Sequence, residues 1–76
     1  MRYLTAYLTA MKLTINGQEQ SVPDKLSVSG LLEHLQIHES RVAVEVNRII
    51  VPRKQHHNRI LSESDTVEIV SFIGGG

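Results

Sequence analysis

One stretch in the body of this chain carries apolar residues at helical spacing. Val28, Leu31, Leu32 and Leu35 fall at i, i+3, i+4 and i+7, so a helix brings all four onto one face, and Ser27 just before them is a suitable N-cap. Most other apolar residues alternate with polar ones in short runs, the period of strands with one face in a core. One amphipathic helix and several half-buried strands have a simple joint solution, in which the helix covers one face of a mixed sheet. The expected class is therefore α+β. The spacing predicts a helix of about nine to eleven residues ending near Gln36. Gly30 inside it costs about 1 kcal/mol relative to Ala and predicts close approach to the sheet.

The strand signals come in order along the chain. From Met11, Lys12-Leu13-Thr14-Ile15 alternates and leads into Asn16-Gly17, the dipeptide best suited to the positive φ angles of a type I′ hairpin turn. The second arm, Gln18 to Val22, is polar and meets Pro23, which cannot donate to a ladder, so a short edge strand is expected before a turn over Pro23-Asp24-Lys25. Val42, Val44 and Val46 alternate with Ala43 and Glu45 in a third strand. Ile49-Ile50-Val51 reads as a small fourth strand after a tight Asn47-Arg48 turn, and the polar segment Arg53 to Arg59 as a loop or short 3₁₀ turn. After the turn cluster Ser62 to Asp65, the run Thr66 to Ile73 is the strongest strand signal. It sets Val67 and Ile69 on one face and Glu68, Val70 and Phe72 on the other.

Composition narrows the function classes. The 76 residues suffice for one small domain. Eight Lys plus Arg balance eight Asp plus Glu, so there is no electrostatic footprint for nucleic acid or an anionic membrane. No run approaches the length of a membrane span, and the absence of cysteine excludes disulfides, thiolate metal sites and a thiol nucleophile. Residues 1–10, MRYLTAYLTA, repeat Tyr-Leu-Thr-Ala ahead of a second methionine and make a poor secretory signal. They are expected to be an N-terminal extension, disordered or added for expression, ahead of a domain at 11–73 and a flexible glycine tail at 74–76.

The tail is where chemistry is most plausible. Gly74, Gly75 and Gly76 follow the last strand with no polar spacer, so the terminal carboxylate is held a few residues from a rigid body. Without Cβ atoms such a tail fits a narrow channel in a partner, and its ionised carboxylate can attack the α-phosphorus of a bound nucleotide. The bland alternative is a frayed end. Val70 and Phe72 carry a similar choice, between a second layer of core under the Arg53 to Arg59 loop and an exposed apolar patch that a partner grips while threading the glycines. His34 and His38 are spaced i and i+4 but straddle the expected helix end and lack a third ligand. His56-His57 reads as a solvated pair whose nearest carboxylate in sequence is Glu63. No serine has an evident base partner, and no metal site is expected.

The opening strand and turn Lys12 to Gly17, the Val28 to Leu35 helix, the stretch Asn47 to Arg53 with its Val51-Pro52-Arg53, and the ending Val70-Ser71-Phe72-Ile73-Gly74-Gly75-Gly76 together resemble the ThiS family, the sulfur carriers of thiamin (thiazole) biosynthesis. The resemblance covers nearly all of the chain after Met11. It implies a β-grasp, ubiquitin-like fold with a mixed sheet packed on one main helix. It also implies a cytoplasmic cosubstrate and not an enzyme, with no bound cofactor. A ThiF-like adenylyltransferase would consume MgATP to adenylate the Gly76 carboxylate. A cysteine desulfurase or equivalent sulfur donor would convert the adenylate to a thiocarboxylate, and the thiazole synthase ThiG would receive the sulfur. Gly74, Gly75, Ile73, Phe72 and Val70 would then bind these partners.

Two other functions stay open at this point. One is the same chemistry in a MoaD-like carrier for molybdopterin synthesis, and the other is a non-catalytic ubiquitin-like interaction module or modifier.

Overall fold

The computed structural model describes residues 10–72. Five strands form one sheet: β1 (Ala10–Ile15), β2 (Gln18–Pro23), β3 (Val42–Val46), β4 (Ile49–Ile50) and β5 (Thr66–Ser71), in the order β2-β1-β5-β3-β4. β5 is parallel to β1 and antiparallel to β3, so the last strand lies in the middle of the sheet. A helix, α1 (Val28–His34), lies between the two hairpins in sequence, and 3₁₀ turns occupy Glu39–Arg41 and Arg53–Gln55. This mixed sheet with one helix is the expected α+β arrangement, and β2 is an edge strand as its polar residues and Pro23 predict.

Both hairpins turn as their sequences require. Asn16 and Gly17 have φ of 49° and 84°, and Asn47 and Arg48 have 53° and 71°, the paired positive values of type I′ turns. An added Cβ at Gly17 would meet nothing within 4 Å, so glycine serves there for its φ and not for space.

Val28, Leu31 and Leu32 of α1 are buried with Leu13, Val44, Val46 and Val67 of the sheet in a single core, and Leu35 packs against it. Each such Leu or Val contributes roughly 1.5–3 kcal/mol by leaving water. The backbone donors at the helix start are all used. Val28 N–H donates to Arg59 O, Ser29 N–H to His56 O, Gly30 N–H to Ser27 Oγ and Leu31 N–H to Ser27 O.

Two expectations for this helix need correction. It is seven residues long and stops at His34, not near Gln36. Gln36 takes φ 61°, its N–H donates to Glu33 O, and Ile37 N–H donates to Leu32 O, the bond pair of a Schellman closure. Ile37 returns to the core, so tertiary packing ends the helix two residues early. Gly30 does not approach the sheet; a Cβ there would lie 3.0 Å from Leu26 Cδ2 and 3.4 Å from Ser27 Oγ, in the loop that enters the helix.

β1 begins at Ala10, one residue ahead of the expected start at Met11. The rest of the N-terminal extension, residues 1–9, lies outside the described residues, as do Ile73, Gly74, Gly75 and Gly76. Among the described residues no helix is long and apolar enough to cross a membrane.

Candidate functional site

β5 carries the chain from the centre of the sheet to the tail, and three devices hold it. At its start Asn47, in the β3–β4 turn, embraces Thr66: Asn47 N–H donates to Thr66 O at 2.7 Å, and Thr66 N–H donates to Asn47 Oδ1 at 3.0 Å. Asn47 Nδ2 also donates to Asp65 Oδ1 at 2.9 Å. Further along, β1 has ended, and the Asn16 amide takes the place of a strand neighbour. Its Oδ1 accepts from Ile69 N–H at 2.8 Å and its Nδ2 donates to Ile69 O at 3.2 Å. On the other side β3 pairs Val42 with Ser71, and Phe72 N–H donates to Arg41 O at 3.1 Å. The backbone is thus anchored up to Phe72, four residues before Gly76.

The sequence reading used Asn16 and Asn47 only for their φ angles and missed this second role. The available signal was that asparagine, unlike glycine, brings an amide able to replace both backbone groups of a missing strand.

The alternation on β5 holds. Val67 is fully buried and Ile69 packs on the core, whereas Val70 is 57% exposed and Phe72 58% exposed. The exposed-patch alternative is the one realised, and the Arg53 to Arg59 loop does not cover these residues. The register places Ala43 opposite Val70 and Glu45 opposite both Glu68 and Ile50. Ile50 is 65% exposed, so the apolar strip extends across the outer sheet face from Phe72 towards the β4 edge. On the opposite face an open groove of about 620 Å³ lies beside the same strand end, lined by Leu35, Ile37, Ile69, His38, Arg41 and Ser71 among others.

The expectation of a solvated His56-His57 pair is wrong for His56. Its side chain is 2% exposed, because the 3₁₀ turn at Arg53–Gln55 folds it inward, where Nε2 lies 3.1 Å from Val51 O. Nδ1 lies 3.2 Å from Glu39 Oε1, within ion-pair range but without the alignment of a ring N–H hydrogen bond. The carboxylate beside His56 is therefore Glu39 and not Glu63. Glu39 in turn accepts from Ser29 Oγ at 3.0 Å. That hydroxyl is the main influence holding the Glu39 carboxyl below its ordinary value; partial burial opposes it, and His56 and Arg53 reinforce it.

Serine, glutamate and histidine are the residue types of a hydrolytic triad, but the connections are those of a structural brace. The serine hydroxyl donates to the carboxylate and the histidine is buried against a carbonyl, so the serine–imidazole bond of a triad is absent. His34 and His38 are both exposed, on either side of the helix end. Among the described residues no three His, Cys, Asp or Glu side chains gather where they could hold a metal ion. What the described residues offer is a strand anchored through Phe72 with an exposed apolar outer face.

Comparison with known proteins decides which family uses such a strand. The ThiS family matches residues 7–76.

The chain belongs to the ThiS family. A relative called "Sulfur carrier protein ThiS", from Bacillus subtilis, is 34% identical over 65 residues, covering 84% of this chain and 98% of the relative. The crystal structure of the thiamine biosynthesis protein ThiS from Geobacter metallireducens superposes with a TM-score of 0.76 at 33% identity, covering 87% of this chain and all of that one. The fold is accordingly the ThiS β-grasp. A relative called "Thiazole synthase", from Paramagnetospirillum magneticum, is 42% identical over 66 residues, but this chain spans 20% of its length. There a ThiS-like segment is joined to a much longer protein.

Proposed function

We propose that this protein is the sulfur carrier of thiamin biosynthesis, a cosubstrate whose Gly76 carboxylate is converted to a thiocarboxylate that donates sulfur for thiazole formation. The observation that carries the reading is the end of β5, anchored to Phe72 on a ThiS fold and flanked by exposed Val70, with four residues left before the terminus. Membership of the ThiS family favours this route over a carrier for molybdopterin synthesis.

The order of steps follows from carbonyl chemistry. A carboxylate resists nucleophiles until one of its oxygens becomes part of a good leaving group. A ThiF-like adenylyltransferase with MgATP supplies that activation: a Gly76 carboxylate oxygen attacks the α-phosphorus of ATP, pyrophosphate departs, and an acyl-adenylate forms. The terminal sulfur of a persulfide on a cysteine desulfurase or equivalent donor then adds at the acyl carbon and displaces AMP, and a thiol such as excess cysteine reduces the resulting acyl disulfide, releasing the thiocarboxylate and the donor's cysteine.

This chain binds neither metal nor nucleotide in that scheme. Its own contribution is positional, because Phe72, Val70 and Ile73 seat the partner while Gly74 and Gly75 pass through a channel too narrow for side chains. Thiazole synthase receives the sulfur, a link supported by the relatives of that name that contain a ThiS-like segment. The reactions use ATP and a reduced sulfur donor and belong in the cytoplasm.

The test is intact mass of the purified chain after incubation with MgATP, a ThiF-like enzyme, a cysteine desulfurase and cysteine. The expected result is exchange of one oxygen for one sulfur, mapped to the C-terminal peptide. An unchanged mass beside a converted control carrier would reduce the glycines to a loose end and leave an interaction module.

A further inference from the structure

On the outer sheet face Glu45 of β3 stands directly opposite Glu68 of β5. Residues so paired have Cβ atoms about 5 Å apart, and like charges in that arrangement are destabilising. Among the described residues the sole ion contact is His56 with Glu39, so none of the described lysines or arginines forms an ion pair with Glu45 or Glu68. Its surroundings are apolar. Ala43 and Val70 pair on the side towards the tail, Phe72 lies beyond them, and Ile50 pairs with Glu45 on the other side.

The free protein thus keeps two opposed carboxylates in the middle of an exposed apolar strip. A cation set between them would convert the repulsion to attraction. Guanidinium suits the place better than ammonium, because its planar fork can donate to two carboxylates and its weak hydration lets it lie among apolar side chains.

We propose that this face docks a protein partner that sets an arginine between Glu45 and Glu68, with Val70, Phe72 and Ile50 receiving the apolar side chains around it. The inference rests on the sulfur-carrier reading, in which the partner is thiazole synthase. Residues 73–76 span at most about 14 Å when fully extended. An active site that takes the Gly76 carboxylate therefore brings its own protein body against the end of β5, beside the acidic pair. The same short tether means that two enzymes acting on Gly76 use the face in turn and not together.

The test pairs affinity with stability. The full chain and its Glu45→Gln/Glu68→Gln variant are titrated into thiazole synthase by calorimetry at low and high salt. The double variant is expected to bind about ten- to hundredfold more weakly with a shallower salt dependence. It should melt at the parent's temperature or above, since a repulsion has been removed. Glu68→Arg, which can pair with Glu45 within the chain, should also melt no lower and should lose binding altogether. Unchanged affinity in the double variant overturns the proposal, as does an affinity loss accompanied by a lower melting temperature in both variants. Mass analysis of the same parent preparation separates two failures. A parent that is converted to the thiocarboxylate but binds no better than the double variant defeats the docking proposal alone. A parent that is never converted defeats the carrier reading and the docking with it.

Discussion

Val67 and Val70 are the same side chain three residues apart on one strand, yet Val67 is 0% exposed and Val70 is 57% exposed. The face of β5 that bears Val67 and Ile69 closes the core against α1, whereas the face that bears Glu68, Val70 and Phe72 meets no layer among the described residues. A central strand normally has neighbours in the sheet and a cover on at least one face, and here none of the described residues covers the second face. If the outer face serves the proposed partners, stability and recognition are divided between the two faces, and substitutions on them should have separable effects.

The largest expected effect lies beyond both faces. Deleting Gly76 should abolish thiocarboxylate formation in the mass assay while leaving the melting temperature unchanged, since the glycine has no side chain to pack; a loss of folding would contradict the division. On the inner face Val67→Ala should cost about 2–4 kcal/mol in denaturant unfolding, from lost burial and a cavity beside α1. Conversion by the activating enzyme should persist in whatever fraction remains folded.

Asn16→Ala sharpens the comparison because Asn16 grips β5 by its backbone edge and belongs to neither face. Loss of the two bonds to Ile69 should destabilise by about 1–2 kcal/mol and speed hydrogen exchange at the Ile69 amide more than at Val44. On the outer face Phe72→Ala should stay within about 0.5 kcal/mol of the parent in stability but slow activation several-fold. Equal activation kinetics with a lowered melting temperature would place Phe72 with the core.

The smallest effect concerns Glu39, whose carboxyl is held below its ordinary value of 4.5, chiefly by the Ser29 hydroxyl. A group depressed in the folded state adds stability that is complete above the unfolded value and is lost as pH falls through the folded one. Stability of the parent should therefore decline below about pH 4.5, and Glu39→Gln should flatten that limb of the curve. An equally steep acid limb in the variant would assign the decline to other carboxylates.

Much of this molecule is legible in its sequence because the signals are local. Alternation in Val42-Ala43-Val44-Glu45-Val46 dictates which side chains enter the core, Asn16-Gly17 and Asn47-Arg48 accept the φ angles of tight hairpins, and Ser27 caps the helix that its stripe predicts. The readings that failed depended on residues distant in the chain. His56 is a surface residue by composition, and only the folding of the 3₁₀ turn against Glu39 and Val51 buries it. The helix stripe extends to Leu35, but Ile37 competes for the core and turns the backbone at Gln36. Gly30 meets Leu26 in the preceding loop, a contact that no periodicity encodes.

The site divides in the same way. By itself the sequence determined the class of fold, the two faces of β5 and a side-chain-free terminus, because strand period, turn φ and the absence of a Cβ are properties of neighbouring residues. Only the tertiary structure decided that the described residues would leave the outer face uncovered, that Glu45 would oppose Glu68, and that Asn16 would take over where β1 ends. Those outcomes depend on strand order and register, which are set by how all the apolar faces fit one core at once.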